Sequence, residues 1–245
     1  MLSWVAMASY AARRTSVTSE LVITYDAQLR PFEETPVPHH ERWRLTIGKE
    51  CSSFCYIQEE KYRPFSVVSM NVYKRMPDEG SLFFMGSPSC TDELEQLVFH
   101  YTEPLPEFDW EMLEGDSVIC GYACQKARAV FRGRTWVVWY ALDLPYDDGP
   151  WKLRGLPGLI LKADDVRGDF AFSAVSIMKG DQTKIPVDFR KGSKITPEKY
   201  AEYVRLYADN FLDFVLIVLH SGPGSRGKKS PKAKTACLIE YFDKK

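Results

Sequence analysis

The stretch Ser117–Asp165 constrains this chain more than any other. Two long runs rich in β-branched and aromatic residues, Val118–Phe131 and Thr135–Leu144, flank Arg132-Gly133-Arg134. Such runs on either side of a glycine-containing turn predict a β-hairpin. Trp136–Tyr140 (WVVWY) is apolar at every position, which predicts a strand buried on both faces near the middle of a sheet. A polar turn, Tyr146-Asp147-Asp148-Gly149-Pro150, comes next, then Trp151-Lys152-Leu153-Arg154 and Gly155-Leu156-Pro157-Gly158-Leu159-Ile160-Leu161. Pro157-Gly158 suits the two central positions of a type II turn, because proline presets φ and glycine tolerates a positive one. Gly155 and Gly158 are read as positions where a side chain would clash. Asp169–Met178 alternates and predicts a strand pairing back.

Strand signals dominate elsewhere too. Glu20–Tyr25, Arg42–Ile47, Phe65–Tyr73 and Ser81–Met85 are short β-rich runs. Glu95–Tyr101 fits a helical turn equally well by periodicity, and its aromatic and β-branched content favours a strand. Pro31, Pro36 and Pro38, then Pro77-Asp78-Glu79-Gly80, then Pro104 and Pro106 mark the loops between. One helix is predicted late. Thr196 is its N-cap, Pro197 its first residue and Glu198 complements the dipole. Tyr200, Tyr203, Val204, Tyr207 and Phe211 then form one aromatic face, and Ile195 can staple onto Tyr200. Phe211–Leu219 extends the helix or makes a last strand. The expected fold is therefore mainly β: one strongly curved antiparallel sheet packed on the late helix. By analogy of architecture this is a half-barrel like those of lipoprotein carriers. The expected organisation is a flexible N-terminus or signal remnant over 1–18, a single domain over 19–220 and a basic tail over 221–245.

Composition excludes several classes. The 245 residues are 45% hydrophobic and 27% charged, with a net charge of −1. That is too apolar and too balanced for a disordered chain, and it carries no basic excess for nucleic acid. No run of 18 apolar residues is present, so no transmembrane segment is expected. The first twelve residues, MLSWVAMASYAA, are small and apolar, but Arg13 and Arg14 follow the apolar run instead of preceding it. A secretory signal has the opposite order, so a clipped signal and an ordinary flexible terminus both fit. Two cysteine pairs have C-x3-C spacing: Cys51 with Cys55, and Cys120 with Cys124. Four strand residues span about 13 Å, and a disulfide needs Cα atoms within about 7 Å. Neither pair can bridge internally on a strand. Free thiols, disulfides from one pair to the other across neighbouring strands, and a metal site all remain open readings of these four cysteines.

Several blocks along the chain resemble one family. GLPGLI stands at Gly155–Ile160, preceded by Gly149-Pro150-Trp151-Lys152-Leu153. Upstream are Cys120-Gly121-Tyr122-Ala123-Cys124, then Phe131-Arg132-Gly133-Arg134 and Trp139-Tyr140. In order and spacing these blocks resemble the GLPGLI family of the Bacteroidetes cell envelope. Weaker matches at Leu45–Cys55, Tyr101–Trp110 and the Thr196 helix extend the resemblance over roughly Ser19 to Asn210. The motif positions are Gly121, Tyr122, Cys124, Gly133, Gly149, Pro150, Gly155, Leu156, Pro157, Gly158, Leu159 and Ile160. Cys120 departs from the pattern, which has an aliphatic residue there, so a Cys51–Cys124 type of pairing would be this chain's own. The resemblance implies export to the periplasm or outer envelope, and members of the family are often encoded near TonB-dependent outer-membrane receptors. It implies no established activity.

Catalytic signals are weak. The four histidines are His39, His40, His100 and His220, with His39-His40 in a proline-rich loop. There is no G-x-S-x-G, no H-E-x-x-H and no P-loop. Asp147-Asp148 and Asp164-Asp165 read as turn-solvating acids. An enzyme is not expected, and neither a cofactor nor a metal is assigned. Arg134, Trp136, Trp139, Tyr140, Trp151 and Lys152 combine aromatic faces with cations, which suits a ligand with an apolar body and an anionic head. The same residues fit a plain core with a solvated strand face. The expected partner is a hydrophobic small molecule, lipid or peptide held in the curved sheet. The alternatives are docking on an outer-membrane receptor and a thiol or metal module.

Overall fold

The computed structural model describes residues 16–30, 33, 37–57, 70–76, 81–86, 99–180, 182–186 and 193–209. The strands are β1 (Ser16–Leu29), β2 (His39–Gly48), β3 (Ser52–Tyr56), β4 (Met70–Lys74), β5 (Ser81–Gly86), β6 (Phe99–Pro104) and β7 (Glu111–Ile119). They continue with β8 (Tyr122–Phe131), β9 (Arg134–Ala141), β10 (Leu159–Asp165), β11 (Phe170–Lys179), β12 (Lys184–Pro186) and β13 (Ser193–Lys194), and α1 (Pro197–Asp209) ends the order. All belong to one sheet, antiparallel apart from the short parallel pair β13–β6 and not closed into a barrel.

The topology is two meanders joined at the centre. The spatial order runs β6-β5-β4-β3-β2-β1 and then β11-β10-β9-β8-β7. The chain therefore starts in the middle, walks out to β6, crosses to β7 at the far side and walks back. Ten interstrand spacings separate β6 from β7, which on a flat sheet is about 48 Å. Residues 105–110 are all that connect those two strands, and a chain of that length reaches at most about 25 Å. The sheet must curl until its two sides approach. Contacts across the gap show that it does. Arg132, in the β8–β9 turn, pairs with Glu103 on β6 at 2.7 Å, and the Phe108 and Phe131 rings lie 4.7 Å apart. A curved antiparallel sheet with one helix among the described residues is what the alternating strands and the late cap predicted.

The hairpin prediction needs one correction. Val118–Phe131 is not a single strand: Cys120 (φ 50°) and Gly121 (φ 83°) break it with a two-residue turn between β7 and β8. Arg132 (φ 44°) and Gly133 (φ 78°) make the matching turn between β8 and β9. Both have the two consecutive positive φ values of a type I′ turn, the twist that suits tight hairpins. β9 is an interior strand, between β8 and β10, but it stands third from the β7 edge and not in the middle, and one of its faces is buried while the other is half-buried.

The concave side carries the core. Ile23, Tyr25, Leu45, Phe54, Val72, Tyr101, Trp136, Val138 and Phe172 are buried there. A smaller cluster of Val17, Cys51, Tyr73, Met76 and Ile185 sits at one end. The helix begins as predicted. The backbone N–H of Lys199 donates to Thr196 Oγ1 at 3.2 Å, capping the first turn. Its Tyr200 and Tyr203 pack on Tyr101 and Phe99 of β6, at 5.6 and 5.0 Å between ring centroids. No helix of the described residues is long and apolar enough to cross a membrane. Phe211–Leu219, His220 and the basic tail lie outside the described residues, as do 1–15.

Other expectations change. His39 and His40 open β2, paired with Leu29 and Gln28, and do not lie in a loop. Cys51, Cys55, Cys120 and Cys124 are free thiols. No bridge joins the two pairs, because β3 and the β7–β8 hairpin are far from neighbours in the sheet order.

Candidate functional site

The loop joining β9 to β10, residues 142–158, holds most of the GLPGLI-like block. It does not wander over the surface. It folds back into the concave face, where Leu144, Trp151, Leu153 and Leu156 join the main core. Short backbone links pin it. Leu159 N–H donates to the Leu144 carbonyl at 2.9 Å, and Ile160 N–H to that of Asp148 at 3.0 Å. The Tyr25 hydroxyl, on β1, donates to the Ile160 carbonyl at 2.7 Å, and Trp110 Nε1 donates to the Arg154 carbonyl at 2.8 Å.

Three buried ion pairs anchor the loop and its surroundings. Lys74 on β4, fully buried, pairs with Asp148 and donates to the Gly149 carbonyl at 2.7 Å. Arg75 and the Ser52 hydroxyl, at 2.5 and 2.6 Å, share the same carboxylate. Burial alone would raise the Asp148 pKa. The two cations and the hydrogen bonds from Lys74 and Ser52 outweigh that and hold it below its ordinary value. Burial lowers Lys74 against the pull of Asp148. Lys152, also fully buried, reaches Glu103 at 2.5 Å and the Tyr101 hydroxyl at 3.0 Å. Arg134 pairs with Asp165 and, at 3.0 Å, with Asp169. The second aspartate of each acidic pair is thus buried with a cation and does not solvate a turn. Ion pairs of this kind hold geometry, because removing one partner strands a buried charge.

The glycines have separate reasons. Gly155 has φ 93° and its N–H meets the Asp147 carboxylate. Gly158 is not at positive φ, contrary to the type II turn reading. A Cβ there would drive into the Ala141 carbonyl, so close backbone approach is what demands glycine. A Cβ on Gly149 would meet Ile160 Cβ at 2.7 Å. Trp151 stands out: a bulky residue held at φ 52°, where strain is on the order of 1–3 kcal/mol. Its ring lies 5.5 Å from that of Trp136, and both indole N–H groups are buried without a partner among the described residues.

Of the residues expected to hold a ligand, Arg134, Trp136, Tyr140, Trp151 and Lys152 are buried but do not form one cluster: Trp151 and Lys152 belong to this loop, Trp136 packs against Trp151, and Arg134 and Tyr140 lie toward opposite ends of β9. The cations among them hold carboxylates of the chain itself. The Tyr140 hydroxyl donates to Gln125 Oε1 at 2.8 Å. Trp139 points to the opposite, convex face, where Lys126 and Lys162 lie over its ring at 5.4 and 4.5 Å. Gly121, Tyr122 and Cys124 sit in the β7–β8 hairpin and Gly133 in the next turn.

The concave face is not filled to its end. Val118 pairs with Ala123, and Gln125 with Tyr140, so Val118, Ala123 and Gln125 continue the face that carries Tyr140, Val138 and Trp136. Beyond the loop a cleft of about 540 Å³ opens there, lined by Asp116, Ser117, Val118, Ala123, Cys124, Gln125, Leu142 and Asp143. No local sequence signal marks it, since Leu142 and Asp143 carry no motif and the run Val118–Phe131 hides the break between β7 and β8. Among the described residues no group of three or more His, Cys, Asp or Glu is placed to hold a metal ion. Cys120 is exposed, and its thiol donates to the Ala174 carbonyl at 3.3 Å, which brings the β7–β8 turn over β11.

No family model matches the chain, and no curated protein matches it. Two solved structures of PNGF-II, in the P21 and C2 space groups, are similar in fold, each with a TM-score of 0.52. They share 18% and 16% identity and cover 75% and 76% of this chain. The chain spans about a third, 32%, of the length of those proteins. The likeness is one of fold.

Proposed function

We propose that this chain is a non-enzymatic binding domain of the cell envelope that takes a hydrophobic or amphipathic ligand, lipid or peptide, on its curved sheet. The observation that carries the reading is the cleft where the concave face runs on past the loop. The GLPGLI-like loop then acts as a fixed plug. It fills one part of the trough, and its ion pairs keep it there, while Val118, Ala123 and Leu142 offer apolar walls to a ligand in the rest. The envelope setting rests on the resemblance to the GLPGLI family.

Delipidated protein titrated with a fluorescent fatty acid, a lipoprotein anchor peptide and a hydrophobic dye tests this. Saturable binding of at least one, lost in Leu142→Asp with thermal stability unchanged, is the expected result. Binding of none of the three overturns it. A second reading, docking on an outer-membrane receptor, is favoured by the open edge of β7. A receptor co-purifying from native membranes would support it.

A further inference from the structure

β7 ends the sheet. Among the described residues it pairs on one side only, with β8; Leu113, Ser117 and Ile119 are half-buried and its other residues are exposed. The tight Cys120-Gly121 turn fixes which of its backbone groups are committed. In a two-residue hairpin the residues flanking the turn exchange both hydrogen bonds, and the pattern then alternates. Ile119 and Ser117 therefore bond inward to Tyr122 and Cys124. Val118 and Asp116 turn their N–H and C=O groups outward, to the open edge. Natural edges are blunted with lysine, proline or a bulge. β7 carries a bulge at Gly115 and neither of the other devices.

The chemistry along this edge is lopsided. The strand EMLEGDSVI contains three acids and no cation. Glu111 pairs with Arg128. Glu114, Asp116 and Asp143 are exposed and hold no ion pair among the described residues. Met112, Val118 and Leu142 are exposed beside them, Val118 at 72%. Unpaired edge donors, an apolar cleft and one sign of charge thus lie within one segment.

We propose that β7 is the docking edge for an extended basic segment of another polypeptide. The proposal rests on the binding reading above and names its ligand class. The segment adds as a further strand, its main chain meeting Asp116 and Val118. An apolar side chain enters the cleft between Val118 and Leu142, and lysine or arginine two positions along, on the same face, meets Asp116 and Asp143, which line that cleft, while Glu114 adds charge at the bulge. A second copy of this chain fits worse, because two β7 edges would set acids against acids. A lipid would leave the edge donors unused.

The test uses the full chain and an end-capped nonapeptide in which lysine and valine take turns at every second position with threonine between them, so that both types share one face, followed by fluorescence anisotropy. The controls are its glutamate-for-lysine counterpart and a version N-methylated at every second residue, which keeps charge and removes strand pairing. Saturable binding of the lysine peptide is expected, weakened at least tenfold by N-methylation, by Val118→Pro and by Glu114→Lys with Asp116→Lys. The glutamate peptide should not bind. N-methylation acts on the ligand alone, so the result stands even where Val118→Pro disturbs the hairpin. Equal binding of the N-methylated peptide overturns the edge proposal, as does a concentration-dependent dimer that Val118→Pro abolishes. Dye binding in the cleft without peptide binding also overturns it and leaves the broader reading intact. Loss of both sinks the two together.

Discussion

The Lys152 ammonium, on the loop between β9 and β10, lies 2.5 Å from a carboxylate oxygen of Glu103 on β6, with both side chains buried. The two strands flanking that loop and β6 belong to different meanders, so this pair clamps the curled sheet across its concave face. Glu103→Gln alone should cost about 3–5 kcal/mol, because it takes the carboxylate partner from the fully buried Lys152, and Lys152→Met alone should cost less, because Arg132 still pairs with Glu103. The double variant should recover a large part of that loss. Urea unfolding of all four proteins checks it, and simple additivity would refute the clamp.

Gly158→Ala should destabilise the fold by about 1–3 kcal/mol, through overpacking against the Ala141 carbonyl. Asn at Gly155, where φ is 93°, should be tolerated better than Val, since Asn accepts positive φ more readily. Thermal melts separate the two cases. If Asn at 158 proves as mild as Asn at 155, steric approach is the wrong reason for Gly158.

Trp136 and Trp139 are two strand positions of like chemistry on opposite faces. Trp136→Ala removes a fully buried ring and should cost about 3–5 kcal/mol. Trp139→Ala removes a half-buried ring between Lys126 and Lys162, and should cost markedly less. Denaturant midpoints compare them directly.

Asp148 has a folded-state pKa depressed below its unfolded value of about 3.9. Its pairing therefore stabilises fully above that unfolded value and is lost as pH falls through the folded one. Asp148→Asn should be less stable than the parent near neutrality. The gap should narrow steadily below about pH 4. A gap that stays constant into strong acid would place the ionised pair elsewhere.

Thiol labelling of the native protein should reach Cys120 before Cys51 or Cys124. Cys120 is exposed, whereas Cys51 is buried with its pKa pushed up to about 11. Peptide mapping after brief alkylation reads the order. Early modification of Cys51 would contradict the packing of the small cluster around it.

The strands and the helix cap were legible because period-two alternation and the Thr196-Pro197 start are local signals. β7 was not, because type I′ turns usually announce themselves with Asn-Gly or Asp-Gly, and Cys120-Gly121 does not. The buried Lys74, Arg134 and Lys152 were equally hidden. Charged residues are rarely buried unless paired, and their partners Asp148, Asp165 and Glu103 lie 74, 31 and 49 residues away in sequence, beyond any local pattern. Trp151 has the chemistry of a ligand aromatic, yet its ring belongs to the plug, held at a positive φ that no local sequence pattern encodes. The cleft at Leu142 depends on where the plug stops, which no local spacing encodes.

The pairing of β1 with β11 has a consequence for synthesis on the ribosome. β1 is made first and sits in the centre of the finished sheet, but its second neighbour, β11, emerges only about 150 residues later. At roughly 5–20 residues per second, that side of β1 stays open for about ten seconds or more. During that interval the nascent chain offers a long, apolar, half-paired strand to any passing edge. The middle of this molecule is therefore where misassembly begins, and where a holding chaperone would act.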